Sequence, residues 1–487
     1  MNQKQAPLYE ALCTYVATKN EPLHVPGHKD GQVFDQEARR HFASILPIDA
    51  TEVKGLDDLH HPEEAIAVAQ QLAAEAFGAE QTFFLVGGTT AGNLAAALAV
   101  CRPGEQILVQ RNAHKSVFNG LLLAGANPVF IAPEIEHETE VASCLHPSFI
   151  KKALQEYPDI RAVWLTNPSY YGMGMNLKEA AEICHTAGVP LLVDEAHGAH
   201  YGQAEVLPES ALMCGADLVV QSTHKMLPAM TMASMLHVRG ERIDRNRLAT
   251  VLAMVQSSSP SYPLLASLDV ARRYLVQEGR EKLTESIERL EQAQIELSRH
   301  LQSVTIWSGA EGIYSRDPLK WVIRSTQSQV TGYQLLEWLE EEGCTAEMAD
   351  PRNVVLVFAI DTDRQVIERA AQALSRIDRR LMQVEQTVAP VRTGNSASLW
   401  LNAGETSVPA RPLQEAFHSS YLVVSLDKAI GCCCAEMVIP YPPGIPLLIP
   451  GEIITGRHVQ MIVQIRESGG YFQGALDPAM KTIKILC

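Results

Sequence analysis

An α/β fold is what these 487 residues predict: a mostly parallel seven-stranded sheet flanked by helices, followed by a smaller C-terminal α/β domain. Three observations carry the prediction. Between residues 80 and 240 short unbroken apolar runs alternate with helical patterns, as in a sheet buried on both faces by crossover helices. Beyond Tyr262 the texture changes to long, charged amphipathic helix. The composition, 46% hydrophobic and 20% charged, is that of a chain able to bury a large core.

The strands are read from the apolar runs 82–86, 106–110, 128–132, 162–166, 190–194, 218–221 and 233–238. Helices fill the gaps at Ala91–Val100, Val117–Ala124, Pro147–Glu156, Leu177–Ala187 and Pro208–Cys214, each with apolar residues near helical spacing. Residues 264–302 read as a linking helix, which closes a first domain at 1–305. In the second domain, 306–487, Trp321-Val-Ile-Arg, Val354–Ile360 and the helical stretch Asp363–Ile377 suggest the smaller α/β unit. The Pro/Gly-rich stretch Ile439–Pro446 cannot be regular helix.

Charge and cysteines narrow the function classes. A formal net charge of −16 disfavours nucleic acid and anionic membrane surfaces as partners and mildly favours a small cation. Ten scattered cysteines without a C-x-x-C pair imply reduced thiols. The first residues lack the apolar core of a signal peptide, and no window is long and apolar enough for a membrane helix, so a cytoplasmic protein is expected.

In a parallel α/β sheet, ligands gather where strands end at their carboxyl edge. The first run ends in Gly87-Gly-Thr-Thr90, a small-residue loop entering a helix, whose free N–H groups suit a phosphate. It is neither a dinucleotide fingerprint nor a nucleotide P-loop. The second run leads to His114, the fourth to Asn167-Pro-Ser-Tyr-Tyr-Gly172, the fifth to Asp194-Glu-Ala-His-Gly-Ala-His200. A metal site at Asp194, Glu195, His197 and His200 is disfavoured, since neighbouring strand residues face opposite sides and the histidines fall on a glycine-containing loop.

The sixth run ends in Ser222-Thr-His-Lys225. Among Met226, Leu227, Met230 and Met232 the Lys225 ammonium would be desolvated and its pKa depressed, which suits an amine that attacks a carbonyl. Pyridoxal phosphate asks for such a lysine, for a carboxylate on its pyridine nitrogen, for a phosphate cradle and for a flat group against its ring. Lys225, Asp194, residues 87–90 and His114 supply one each.

These motifs, with His24-Val-Pro-Gly-His-Lys29, Leu56-Asp-Asp-Leu-His60, Arg111–Ser116, Pro440–Pro446 and Pro450-Gly-Glu452, resemble the ornithine/lysine/arginine decarboxylase family of fold-type I pyridoxal-phosphate enzymes. The likeness is to its compact bacterial members, with no N-terminal wing domain ahead of His24. The resemblance implies Lys225 as the imine lysine, Ser222, His224, Thr89 and Thr90 at the phosphate, and His114 stacked on the ring. It also implies Asp194 on the pyridine nitrogen, Ala196 beneath the ring and His197 near the ring hydroxyl. His28 and Glu436 are its substrate-side candidates, while Asp30, Asp57 and Asp58 are further carboxylates for a distal cation. The expected reaction is decarboxylation of arginine, lysine or ornithine to agmatine or a diamine, in a homodimer or higher assembly with shared sites. An aminotransferase or another lyase on the same scaffold competes, with Arg392 or Arg411 holding the α-carboxylate, and a non-enzymatic cofactor-binding regulator is the reading from another class.

Overall fold

The structure is a computed structural model and describes residues 1–383, 402–441 and 444–487. Its large sheet has the spatial order Gln81–Leu85, Ser234–Val238, Leu218–Gln221, Leu191–Asp194, Ile160–Thr166, Gln106–Gln110, Asn127–Ile131, Thr406–Ser407. The five central strands from Leu218–Gln221 to Asn127–Ile131 are mutually parallel, and Ser234–Val238 runs antiparallel to both its neighbours. The seven expected strands are all present. An eighth, Thr406–Ser407, joins antiparallel beside Asn127–Ile131 from the C-terminal part of the chain. Two residues carry no periodicity, so this strand left no trace in the sequence.

Each parallel strand is buried on both faces, because helices cover both sides. Helix Gly88–Val100 lies so close to the sheet that a Cβ on Gly92 would come within 2.6 Å of Val220 Cγ1 and 2.8 Å of Leu85 Cδ1. Its start at Gly88 puts Thr89 and Thr90 inside the first helical turn rather than in the preceding loop. Helices Lys115–Ala124, Pro147–Glu156 and Leu177–Thr186 match the periodic segments. The helix expected at Pro208–Cys214 is absent, and turns take its place. There the Ala211 N–H is drawn to the buried Glu195 carboxylate at 2.8 Å, and Gly215 takes φ +100°, so the backbone donors are diverted from a helical ladder.

The linking helix is two segments, Tyr262–Tyr274 and Arg280–His300, joined by a π turn. An antiparallel sheet of Met348–Ala349, Asn353–Val357, Lys320–Ser325 and Val304–Ile306 follows, packed against Gly332–Glu341 and Arg364–Met382. Its apolar residues merge with the core on one face of the large sheet, whereas residues 426–485 enclose a separate core. Helix Arg364–Met382 outruns the expected Ile377 by five residues, since its apolar stripe continues through Leu381. No helix among the described residues is long and apolar enough to cross a membrane, and all ten cysteines are free.

Candidate active site

The parallel strands end on one cleft at the carboxyl edge of the large sheet. Thr89, His114, Asp194, Ala196, His197 and Lys225 all line it, although they are separated by up to 136 residues in the chain. Lys225 sits on the single helical turn Thr223–Met226 that caps strand Leu218–Gln221. Its Nζ lies 3.0 Å from His197 Nε2 and 5.3 Å from the centre of the Tyr170 ring.

Burial lowers the pKa of the Lys225 ammonium, with Asp194 and Glu347 opposing. The direction is the expected one, but the surroundings are not. Met226 and Leu227 point into the core, and Met230 and Met232 are 42% and 49% exposed. The lysine is dried by the cleft wall instead, where Tyr170 and His197 pack with ring centres 4.3 Å apart. A helical turn sends consecutive side chains in different directions, so sequence neighbours need not be spatial ones.

Asp194 is 3% exposed. Its Oδ2 accepts from Asn93 Nδ2 at 2.9 Å and its Oδ1 from the Ala196 N–H at 3.1 Å. Burial raises its pKa, against the Asn93 hydrogen bond and the nearby Lys225 charge. Such a carboxylate gains from a cationic partner in the cleft. His114 caps helix Lys115–Ala124, with Nδ1 2.8 Å from Ser116 Oγ. Burial, followed by the Lys225 and Lys115 charges, brings its pKa down to about 4, so it presents a neutral flat ring. Burial and the same lysine hold His197 well below the usual histidine range.

Thr89 Oγ1 and Ser222 Oγ are 3.1 Å apart, which joins the first turn of helix Gly88–Val100 to the turn carrying Lys225. His224 is anchored through Nδ1 to the Ala233 carbonyl at 2.9 Å and lies outside the cleft lining, as does the exposed Thr90. His28 pairs with Asp49 at 3.1 Å and is not among the residues that line the cleft. The Glu436 carboxylate accepts from Leu476 N and Lys484 N at 3.1 and 2.7 Å, tying the C-terminal core together. Asp57 accepts from the backbone of Glu63, Glu64 and Ile66, which commits it to the start of helix Ala65–Phe77. Arg411 pairs with Glu415 at the surface, and Arg392 lies outside the described residues. Glu195 and His200 are turned to Gln221 and Asp317, so the four residues weighed as a metal site have separate partners.

Asn93, Asn112, Thr166, Tyr170 and Ile445 belong to the site without having been given a role by the sequence. Asn93 had a legible signal, since it is four residues after Thr89 and shares its helix face. The Pro-rich motif reaches the site in a way no spacing announces. A Cβ on Gly444 would sit 3.5 Å from the His114 ring, and the Lys115 N–H bonds the Gly444 carbonyl at 3.2 Å. Asn112 Oδ1 and Thr166 Oγ1 are buried at the cleft with no protein partner. An amine, a buried acid, a neutral ring, a helix start, a free amide oxygen and a free hydroxyl together fit pyridoxal phosphate.

Comparison with known proteins agrees with this geometry. The major-domain model of the Orn/Lys/Arg decarboxylases matches residues 6–311, and their C-terminal-domain model matches 402–474. The arginine decarboxylase of Bacillus subtilis is 36% identical, covering 100% of this chain and 99% of its own. An uncharacterized Bacillus subtilis protein, YaaO, is 43% identical over 98% of each chain. Among solved structures, lysine decarboxylase A from Pseudomonas aeruginosa superposes with a TM-score of 0.83 at 20% identity, over 99% of this chain and 80% of that one. The Escherichia coli constitutive lysine decarboxylase gives 0.79 at 21%, over 99% and 82%.

Proposed function

The chain belongs to the Orn/Lys/Arg decarboxylase family, and from that premise we propose that it is a pyridoxal-phosphate-dependent decarboxylase of a basic amino acid, with arginine the first substrate to test. The observation that carries the cofactor assignment is the convergence of Lys225, His197 and buried Asp194 on one cleft. When bound, the cofactor supplies an electron sink for the pair released as carbon dioxide leaves.

The chain's own residues do the rest. Lys225 offers an amine whose protonated form is penalised by burial, so more of it is free to bond a carbonyl at neutral pH. Asp194 would keep a proton on the cofactor's pyridine nitrogen, and Asn93 keeps that carboxylate aimed. Thr89, Ser222 and the first turn of helix Gly88–Val100 would hold the phosphate, with Thr90 and His224 the further candidates beside them in the chain. His114 and Ala196 line the cleft where they would hold the cofactor's ring, and His197, which contacts the Lys225 amine, would serve the ring hydroxyl. Lys225 or His197 returns a proton to the substrate carbon. The exposed carboxylate of Glu347, whose charge reaches Lys225, favours a cationic substrate. His28 and Glu436, which do not line this cleft, keep a substrate role only if a second copy brings them near, as in a homodimer with shared sites.

The reading includes a cytoplasmic setting and a division of the chain near residue 305, after helix Arg280–His300. Reduction of the cofactor-loaded protein with borohydride and peptide mapping tests it, with the label expected on Lys225. Carbon dioxide release from arginine, lysine and ornithine, measured against keto-acid formation, separates decarboxylation from transamination. A label on another lysine, or keto acid as the product, overturns the assignment.

A further inference from the structure

Ser169, Tyr170 and Tyr171 line one wall of the cleft, and the small antiparallel sheet together with residues 315–317 just before it holds the stretch 169–174 at four points. Ser315–Arg316 pairs with Met173–Gly174, and the Asp317 N–H bonds the Gly172 carbonyl at 2.8 Å. Tyr171 OH donates to Asp350 at 2.6 Å, and Lys320 Nζ donates to the Tyr170 carbonyl at 3.1 Å. The packing is close enough that a Cβ on Gly172 would stand 2.8 Å from Asp317 Cβ and 3.2 Å from Lys320 Cδ.

Lys320 is the unexpected member. It is 2% exposed, and a buried ammonium is costly unless paired. The charge that opposes this cost is that of Asp317, itself 0% exposed, whose carboxylate accepts from His200 Nε2 at 3.1 Å and from the Leu319 N–H at 3.0 Å. A leucine or methionine would fill the same space without that cost. What the charge secures is one carbonyl, that of Tyr170, whose ring packs on His197 and lies under Lys225.

We propose that Lys320 is a positioning residue: its ammonium grips the Tyr170 carbonyl and so fixes the aromatic wall against which His197 and Lys225 are held. The proposal rests on the reading of the cleft as the cofactor site. The groups whose charge bears on Lys320 are Asp317, Glu347 and Lys225, and its own charge bears on His197. Burial draws its pKa down to about 8 against the pull of Asp317, so it stays largely charged at neutral pH.

The test uses full-length protein loaded with pyridoxal phosphate. If borohydride does not label Lys225 in the unsubstituted protein, the cofactor reading fails and the positioning role falls with it. Given that label, Lys320→Met is expected to keep it and to lose roughly ten- to a hundredfold in kcat/KM, chiefly through kcat. It should also shift the visible band of the bound cofactor in the same direction as Tyr170→Ala. In the Tyr170→Ala background the same substitution should cost less than about twofold, because the carbonyl it grips no longer carries the ring that this grip positions. Undiminished kcat/KM in Lys320→Met, or losses that multiply in the double variant, overturn the proposal. If Lys320→Met does not fold, Lys320→Arg decides. Its longer head is expected to displace Tyr170, cost severalfold in kcat/KM and show the same non-additivity with Tyr170→Ala. Unchanged kcat/KM or multiplying losses in that pair refute it.

Discussion

Gly92→Ala sets two known effects against each other at one position. On helix propensity alone, Ala for Gly in a helix interior stabilises by about 1 kcal/mol. Here the new methyl would meet Val220 Cγ1 at 2.6 Å and Leu85 Cδ1 at 2.8 Å, about 1 Å inside ordinary carbon contact distance. Val220 is β-branched and 0% exposed on a central strand, so it cannot rotate away, and Leu85 is equally buried. The helix must move instead. Overpacking of this kind costs about 1–3 kcal/mol, which outweighs the propensity gain. The displacement, on the order of 1 Å, falls on the segment carrying Thr89 and Asn93. Gly92→Ala should therefore lower the melting temperature of the protein and weaken pyridoxal phosphate binding about tenfold or more, read by titrating the cofactor band. A melting temperature and cofactor affinity equal to or better than those of the unsubstituted protein would show that the sheet yields and that this helix does not position the site.

Asp194→Asn preserves shape but removes the charge that Asn93 and Ala196 orient; decarboxylation should fall by at least about a hundredfold while the Lys225 label survives, checked by carbon dioxide release and peptide mapping. Arg272, wholly buried, donates to the carbonyls of Gln3 and Gln5 and to Asp269. Arg272→Met strands the Asp269 carboxylate and frees the N-terminal segment, so a loss of about 3–5 kcal/mol is expected in denaturant unfolding. His237 is buried between Thr82 and Gln221, and burial brings its pKa down to about 3. The unfolded chain then binds more protons below about pH 6.5, so the contribution of this group is fully present above that pH and is lost as pH falls toward 3. His237→Gln should flatten the acid side of a plot of melting temperature against pH, and an unchanged slope would show that the other depressed histidines, His114, His197, His224 and His458, carry it without His237.

The local rules of the chain were legible in its order of residues. Period-free apolar runs declared the seven main strands, and the short polar segments after them declared Thr89, His114, Asp194 and Lys225 as one chemical set. Failures came where an element's fate was decided by a distant partner. The Pro208–Cys214 pattern lost its helix to the buried Glu195 carboxylate, and Thr406–Ser407 became a strand only because Asn127–Ile131 offered an edge.

Read alone, the order of residues brought together Thr89, His114, Asp194, Ala196, His197 and Lys225, because they stand at strand ends and strand ends are visible as breaks in hydrophobic pattern. What keeps Lys225 dry and what holds the Tyr170 ring beneath it emerged from the fold. Those jobs fall to residues such as Lys320 and Asp317, nearly a hundred positions away. Burial and Coulomb interaction depend on distance in space, and chain separation carries no record of that distance once the backbone has folded back on itself.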